Sequence, residues 1–204
     1  MAGCDRLELV ANWGTLDAVR RFARIWQAWP DAHITRLHKA LSLVQVEQTT
    51  MPSDLFGCVV GLGKGSETRW RVEINERLPL AASYATLGHE FGHTFQRAGL
   101  GFARCAPRAS LTAVEQEAHA HGAILTVPLE AVEYLPLGDV VAARRVAVEL
   151  TLPTSYIRIR AALAVFMDER RGSKDEASRY LNGAMLDHQL WMAHVSEYMT
   201  ALGG

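Results

Sequence analysis

His89-Glu90-Phe91-Gly92-His93 decides how this chain is read. The five residues spell H-E-x-x-H. On a helix, residues four apart share one face, one turn along the axis. The two imidazoles can therefore converge on a single ion. Glu90 is offset around the helix, where it leans over the ion instead of binding it. That is the geometry of a zinc hydrolase: His89 and His93 hold the metal, and Glu90 is general base for the attacking water. The flanks suit a helix. Residues 78–88 lead in with helix-compatible apolar side chains, residues 94–98 lead out, and Gly99 is a C-terminal stop. The plain alternative is a core helix with two incidental histidines, and the mechanism behind the motif outweighs it.

Upstream, three runs read as strands. Residues 41–47 alternate in part, and Met51-Pro52-Ser53-Asp54 breaks the run. Residues 56–62 form a second run and 69–75 a third, which alternates cleanly and predicts one solvated face. Gly63-Lys64-Gly65-Ser66 lacks the spacing of a phosphate loop and suits a hairpin turn. A three-stranded sheet thus runs directly into the motif helix, and an edge strand beside it can hold an extended peptide. Residues 5–29 carry apolar side chains at spacings of three and four, which predicts one or two amphipathic helices stopped by Pro30. A short helix follows over 31–41. Trp26 and Trp29 read as core packing.

Downstream, residues 100–109 read as a loop. Helices are expected from near Ser110 or Thr112 to about Thr126, over 132–148, over 155–169 and over 180–202. A catalytic zinc takes three protein ligands and a water. The third ligand must come from Glu115-Gln116-Glu117-Ala118-His119-Ala120-His121. Glu115 and His119 share one helical face, and Glu117 and His121 share another. Thr112-Ala113-Val114-Glu115 also has the spacing of a capping box, which gives Glu115 a purely structural alternative. Spacing alone leaves Glu115 and Glu117 level.

These segments together resemble the ImmA/IrrE family of metallopeptidases over roughly residues 40–165. The similarity lies in the motif itself, in the strand ending Val72-Glu73-Ile74-Asn75, and in Ala85-Thr86-Leu87-Gly88 before the motif. It continues in the family pattern E-x-E-A-[ND]-x-F-A-x-x-L-L-x-P, matched by Glu115, Glu117, Ala118, Leu125 and Pro128. His119 departs from the usual Asn or Asp, His121 from Phe, and Gly122 from Ala. The resemblance implies that Glu115 is the third zinc ligand, with Glu117 the alternative, and that His119 replaces the usual amide or acid one turn on. The histidine substitutions leave open a ligand set that uses His119. It also implies a zincin-like α+β fold, mainly helical, with the three-stranded sheet beside the motif helix. On this reading residues 1–170 are the peptidase domain and 171–204 a C-terminal amphipathic extension. Residues 140–168 read helix, turn, helix; a simple helix corner is favoured over a DNA reader, because only Arg158 and Arg160 mark the second helix. The extension has three roles open to it: replacing a further domain, covering the core, or pairing chains.

Composition bounds the function. The chain has 204 residues, 49% hydrophobic and 21% charged, with a net charge of −1. That suits one globular domain and shows no broad footprint for nucleic acid, which is not expected as a direct partner. Cys4, Cys58 and Cys105 cannot all pair with one another and read as reduced thiols. No signal-peptide core or membrane-length run is visible, so a cytoplasmic protein is expected. The expected activity is a zinc-dependent regulatory endopeptidase, with Mn²⁺ as the alternative metal. The resemblance implies a protein substrate, namely a transcriptional repressor. His119, His121 and Tyr156 are the candidates for orienting a ligand or stabilising the oxyanion. Two other classes compete: a non-catalytic module that binds a repressor or DNA, and a hydrolase of small amides or peptides.

Overall fold

The computed structural model describes residues 44–62, 69–94, 102–105 and 112–203. The helices expected over 5–29 and 31–41, the turn at 63–66 and Gly99 lie outside the described residues. Strands β1 (Val44–Thr49), β2 (Gly57–Leu62) and β3 (Arg69–Asn75) fall close to the three strand-like runs. Beyond them come helix α1 (Leu80–Thr94), strand β4 (Phe102–Cys105) and helix α2 (Ala113–Thr126). A single 3₁₀ turn, Leu129–Ala131, leads to α3 (Val140–Leu150), α4 (Thr154–Phe166) and α5 (Lys174–Gly203).

The sheet is mixed and has four strands in the order β1-β3-β2-β4, one more than the sequence predicts. β1 pairs parallel to β3, while β2 pairs antiparallel to both β3 and β4. The hairpin register sets Val59 opposite Val72 and Gly57 opposite Ile74. β4 lies inside the stretch expected to be loop. Its four residues are too few to show a period of two, and its ladder to β2 makes it a strand.

One face of the sheet carries the core. Val46, Val59, Val72 and Ile74 are buried, and α1 packs against β2, β3 and β4. On the other face of β3, Arg71 and Glu73 pair at 2.8 Å with both side chains partly exposed, as the alternation predicts. Asn75 ends β3 and is fully buried. Its amide donates to the carbonyls of Met51, Pro52 and Leu55 at 3.3, 3.1 and 2.8 Å, and its Oδ1 accepts from the Arg77 amide. One side chain therefore satisfies the β1–β2 connection and delivers the chain to α1.

α3 starts eight residues later than the sequence pattern predicts. Pro136 and Gly138 stand in turns, and Asp139 caps the true start by accepting from Ala142 N at 2.9 Å. Thr151 closes α3 in the left-handed conformation, φ 50°. α4 is largely buried, so it is a core helix. Arg158 pairs with Asp187 and lies over the Tyr180 ring at 5.0 Å. Arg160 is buried, bonding Val127 O at 3.2 Å and Glu169 at 2.6 Å. Both arginines are thus engaged within the fold. α5 begins six residues before the predicted 180 and packs along α4. Its buried stripe includes Ala184, Met185, His188, Met192, Val195 and Met199, whereas Leu186, Leu190 and Tyr198 are exposed.

Candidate metal centre

α1 and α2 cross in close contact because glycine lines the crossing. A β-carbon on Gly92 would fall on the carbonyl oxygen of Ala118, and one on Gly88 would stand 2.7 Å from Thr126 Cγ2 and 3.1 Å from Gly122 O. Without those side chains the helix backbones meet, and the first turn of α2 reaches the face of α1 that carries both histidines. Thr112 caps α2 by accepting from the Glu115 amide at 3.3 Å. The Glu115 carboxylate goes elsewhere. One oxygen lies 3.1 Å from His89 Nε2 and the other 3.7 Å from His93 Nε2. The two Nε2 atoms are themselves 3.0 Å apart. The structure therefore brings Glu115 to the motif histidines and leaves Glu117 exposed on the surface.

These spacings match a small divalent ion. A tetrahedral zinc with bonds near 2.0–2.1 Å sets its donor atoms roughly 3.3 Å apart. His89, Glu115 and His119 also offer donor atoms within 4.8 Å of one another. His119, however, meets His89 through the opposite ring nitrogen, Nδ1 to Nδ1 at 3.1 Å. One imidazole turns only one lone pair toward a given ion. With His89 Nε2 bound to a metal, its Nδ1 would carry the hydrogen and donate to His119 Nδ1. His119 thus orients His89, the job that its place in the pattern suggests.

The electrostatics suit neutral ligands. Burial holds His89 well below the usual imidazole range, and the neighbouring His93 and His188 push it further down. Burial likewise lowers His119, with His89 and His93 adding to the shift. Neutral imidazole is the form that binds metal. Burial raises the Glu115 carboxyl, opposed by His93. A half-buried carboxylate beside two imidazole nitrogens is offset by a divalent cation, so the donor set fits a metal. Its chemistry, two imidazole nitrogens and one carboxylate oxygen, fits zinc.

The other predicted residues take distinct places. Glu90 is fully buried, and its Oε1 stands 3.2 Å from where a β-carbon on Gly57 would be, so its carboxylate faces the start of β2. Tyr156 is also fully buried, and its hydroxyl donates to Ala85 O at 2.9 Å. Its O–H ties α4 to α1. His121 is partly buried beside Gly92; burial lowers its pKa, opposed by Glu117 and a hydrogen bond with the Gly92 backbone.

The sequence reading missed His188 and Ser155. His188 lies on α5, fully buried, with its Nδ1 2.9 Å from Ser155 Oγ. Its ring packs edge to face on His119 with centroids 4.6 Å apart, and Trp191 stacks on it at 5.4 Å. The available signal was a histidine on the same helical stripe as Met185 and Met192. Among the described residues no helix is long and apolar enough to cross a membrane, and the Cys58 thiol is buried and donates to Glu73 Oε2 at 3.6 Å. A scan against protein-family models found no match to this chain, and searches of curated proteins and of solved structures found none either.

Proposed function

We propose that this chain is a zinc-dependent peptidase of the ImmA/IrrE type that cuts one specific protein, such as a transcriptional repressor. The observation that carries the reading is the convergence of His89 Nε2, His93 Nε2 and the Glu115 carboxylate, from two crossing helices, within 3.0 to 3.7 Å. The resemblance supplies the substrate class. Bound zinc would polarise a carbonyl and acidify water. The chain's own groups do the rest. His119 holds the His89 ring in the tautomer that turns Nε2 outward. Glu115 adds the negative charge and, with its side chain 18% exposed against 1% or less for the two histidines, marks the side open to solvent. Glu90 takes a proton from the attacking water and returns it to the leaving nitrogen as the C–N bond breaks.

Two measurements test this. Elemental analysis should find about one zinc per chain in the parent and little in Glu115→Ala. Glu90→Gln should keep the metal and lose cleavage of the repressor. A partner response that survives Glu90→Gln intact would replace the peptidase with a binding module.

A further inference from the structure

Four side chains from four helices form one buried line: Ser155, His188, His119 and His89. Ser155 Oγ meets His188 Nδ1 at 2.9 Å, the His188 ring packs on His119 at 4.6 Å, and His119 Nδ1 meets His89 Nδ1 at 3.1 Å. His188 and His89 are fully buried, and His119 and Ser155 nearly so. Every contact on this line fixes the next ring. The hydrogen bond with Ser155 selects the face that His188 turns to its neighbours. Trp191 and Tyr156 close on His188 with ring centroids at 5.4 and 4.8 Å, so the ring has no room to swing. The edge-to-face contact then limits rotation of His119, which has to keep Nδ1 aimed at His89.

We infer that His188 is a positioning residue of the metal centre, acting through His119 to set the orientation of His89. The inference rests on the metal-site reading above. It gives α5, which lies beyond the stretch that resembles known peptidases, an indirect part in the site. A partner that orients a ligand typically changes metal affinity by about 10–100-fold when removed. His188 acts one residue further out, so the expected loss is near the low end.

The test uses the full chain, loaded with Zn²⁺ for affinity and with Co²⁺ for its visible spectrum, in parent, His188→Ala, His188→Phe and Ser155→Ala. Each variant is first checked for folding by circular dichroism. His188→Ala should bind zinc roughly tenfold more weakly than the parent and show altered cobalt bands. His188→Phe keeps a ring against His119 and should recover most of the affinity. Ser155→Ala should shift the cobalt bands with a smaller loss, and it decides the matter if His188→Ala does not fold. A purely structural His188 would lower thermal stability and leave zinc affinity and the cobalt spectrum at parental values; that result overturns the inference while the metal site stands. A parent chain that binds neither ion overturns both.

Discussion

Tyr156 on α4 donates its hydroxyl to the carbonyl of Ala85 on α1 at 2.9 Å. In an α-helix that same carbonyl accepts the amide of the residue four positions on, which is His89. The phenol therefore pins the turn of α1 that presents the first motif histidine. Tyr156→Phe removes one donor from a carbonyl that keeps its helical partner. The expected cost is about 0.5–1.5 kcal/mol, with zinc content unchanged. Urea unfolding and elemental analysis check the two halves of that statement.

The two glutamates of α2 should separate cleanly. Glu115→Ala removes a donor that contacts both histidines, and zinc affinity should fall by more than about 100-fold, beyond the usual effect of an orienting group. Glu117→Ala, at an exposed position, should bind zinc as the parent does. Competition against a chromophoric chelator measures both. Equal losses would mean that the carboxylates act through charge and not through placement.

Gly92→Ala sets two effects against each other. Alanine is worth about 1 kcal/mol more than glycine inside a helix. The new methyl, however, falls on the backbone of Ala118, and rigid overpacking costs typically 1–3 kcal/mol. Backbone cannot step aside as a flexible side chain can, so the net change should be destabilising. Because the helices must part to accept the methyl, zinc affinity should fall as well. A stabilised variant with parental affinity would show that the crossing is looser than described.

Stability should depend on pH through His188. Burial, and then the adjacent His119, lower its pKa in the folded chain well below the unfolded value of 6.5. Between the folded pKa and 6.5 the unfolded chain binds the extra proton, so protonation favours unfolding. The stability that depends on neutral His188 is fully present above pH 6.5 and is lost as pH falls below it. His188→Phe carries no such proton and should show a shallower decline. Denaturant midpoints of the two proteins at pH 7.5, 6.5 and 5.5 make the comparison.

What could be read from sequence was local. The motif helix announces itself because both histidines, the glutamate and the flanking apolar residues lie within a few turns. Glu115 was half legible: its residue type and spacing fit, but spacing did not separate it from Glu117. The decision came from the Gly88 and Gly92 crossing with α2, a contact between distant segments. β4 was hidden because four residues carry too little periodicity, and its ladder partner lies far back in β2. The start of α3 was misplaced because apolar residues after 132 mimic helical spacing across Pro136 and Gly138. The one local signal at His188 was a histidine on the buried stripe of Met185 and Met192. Its role arises from Ser155, 33 positions away, and from His119 further off.

The unequal exposure of the three donors has a kinetic consequence. The histidines are sealed in the core, so the route of an entering or leaving ion would run past Glu115. Glu115 stands in the first turn of its helix, the part that frays most readily. Thr112 holds that turn closed through the Glu115 amide. The residence time of a bound ion would therefore depend on a hydroxyl outside the donor set. Weakening that cap would quicken exchange with a chelator while leaving the donor set, and much of the equilibrium affinity, in place.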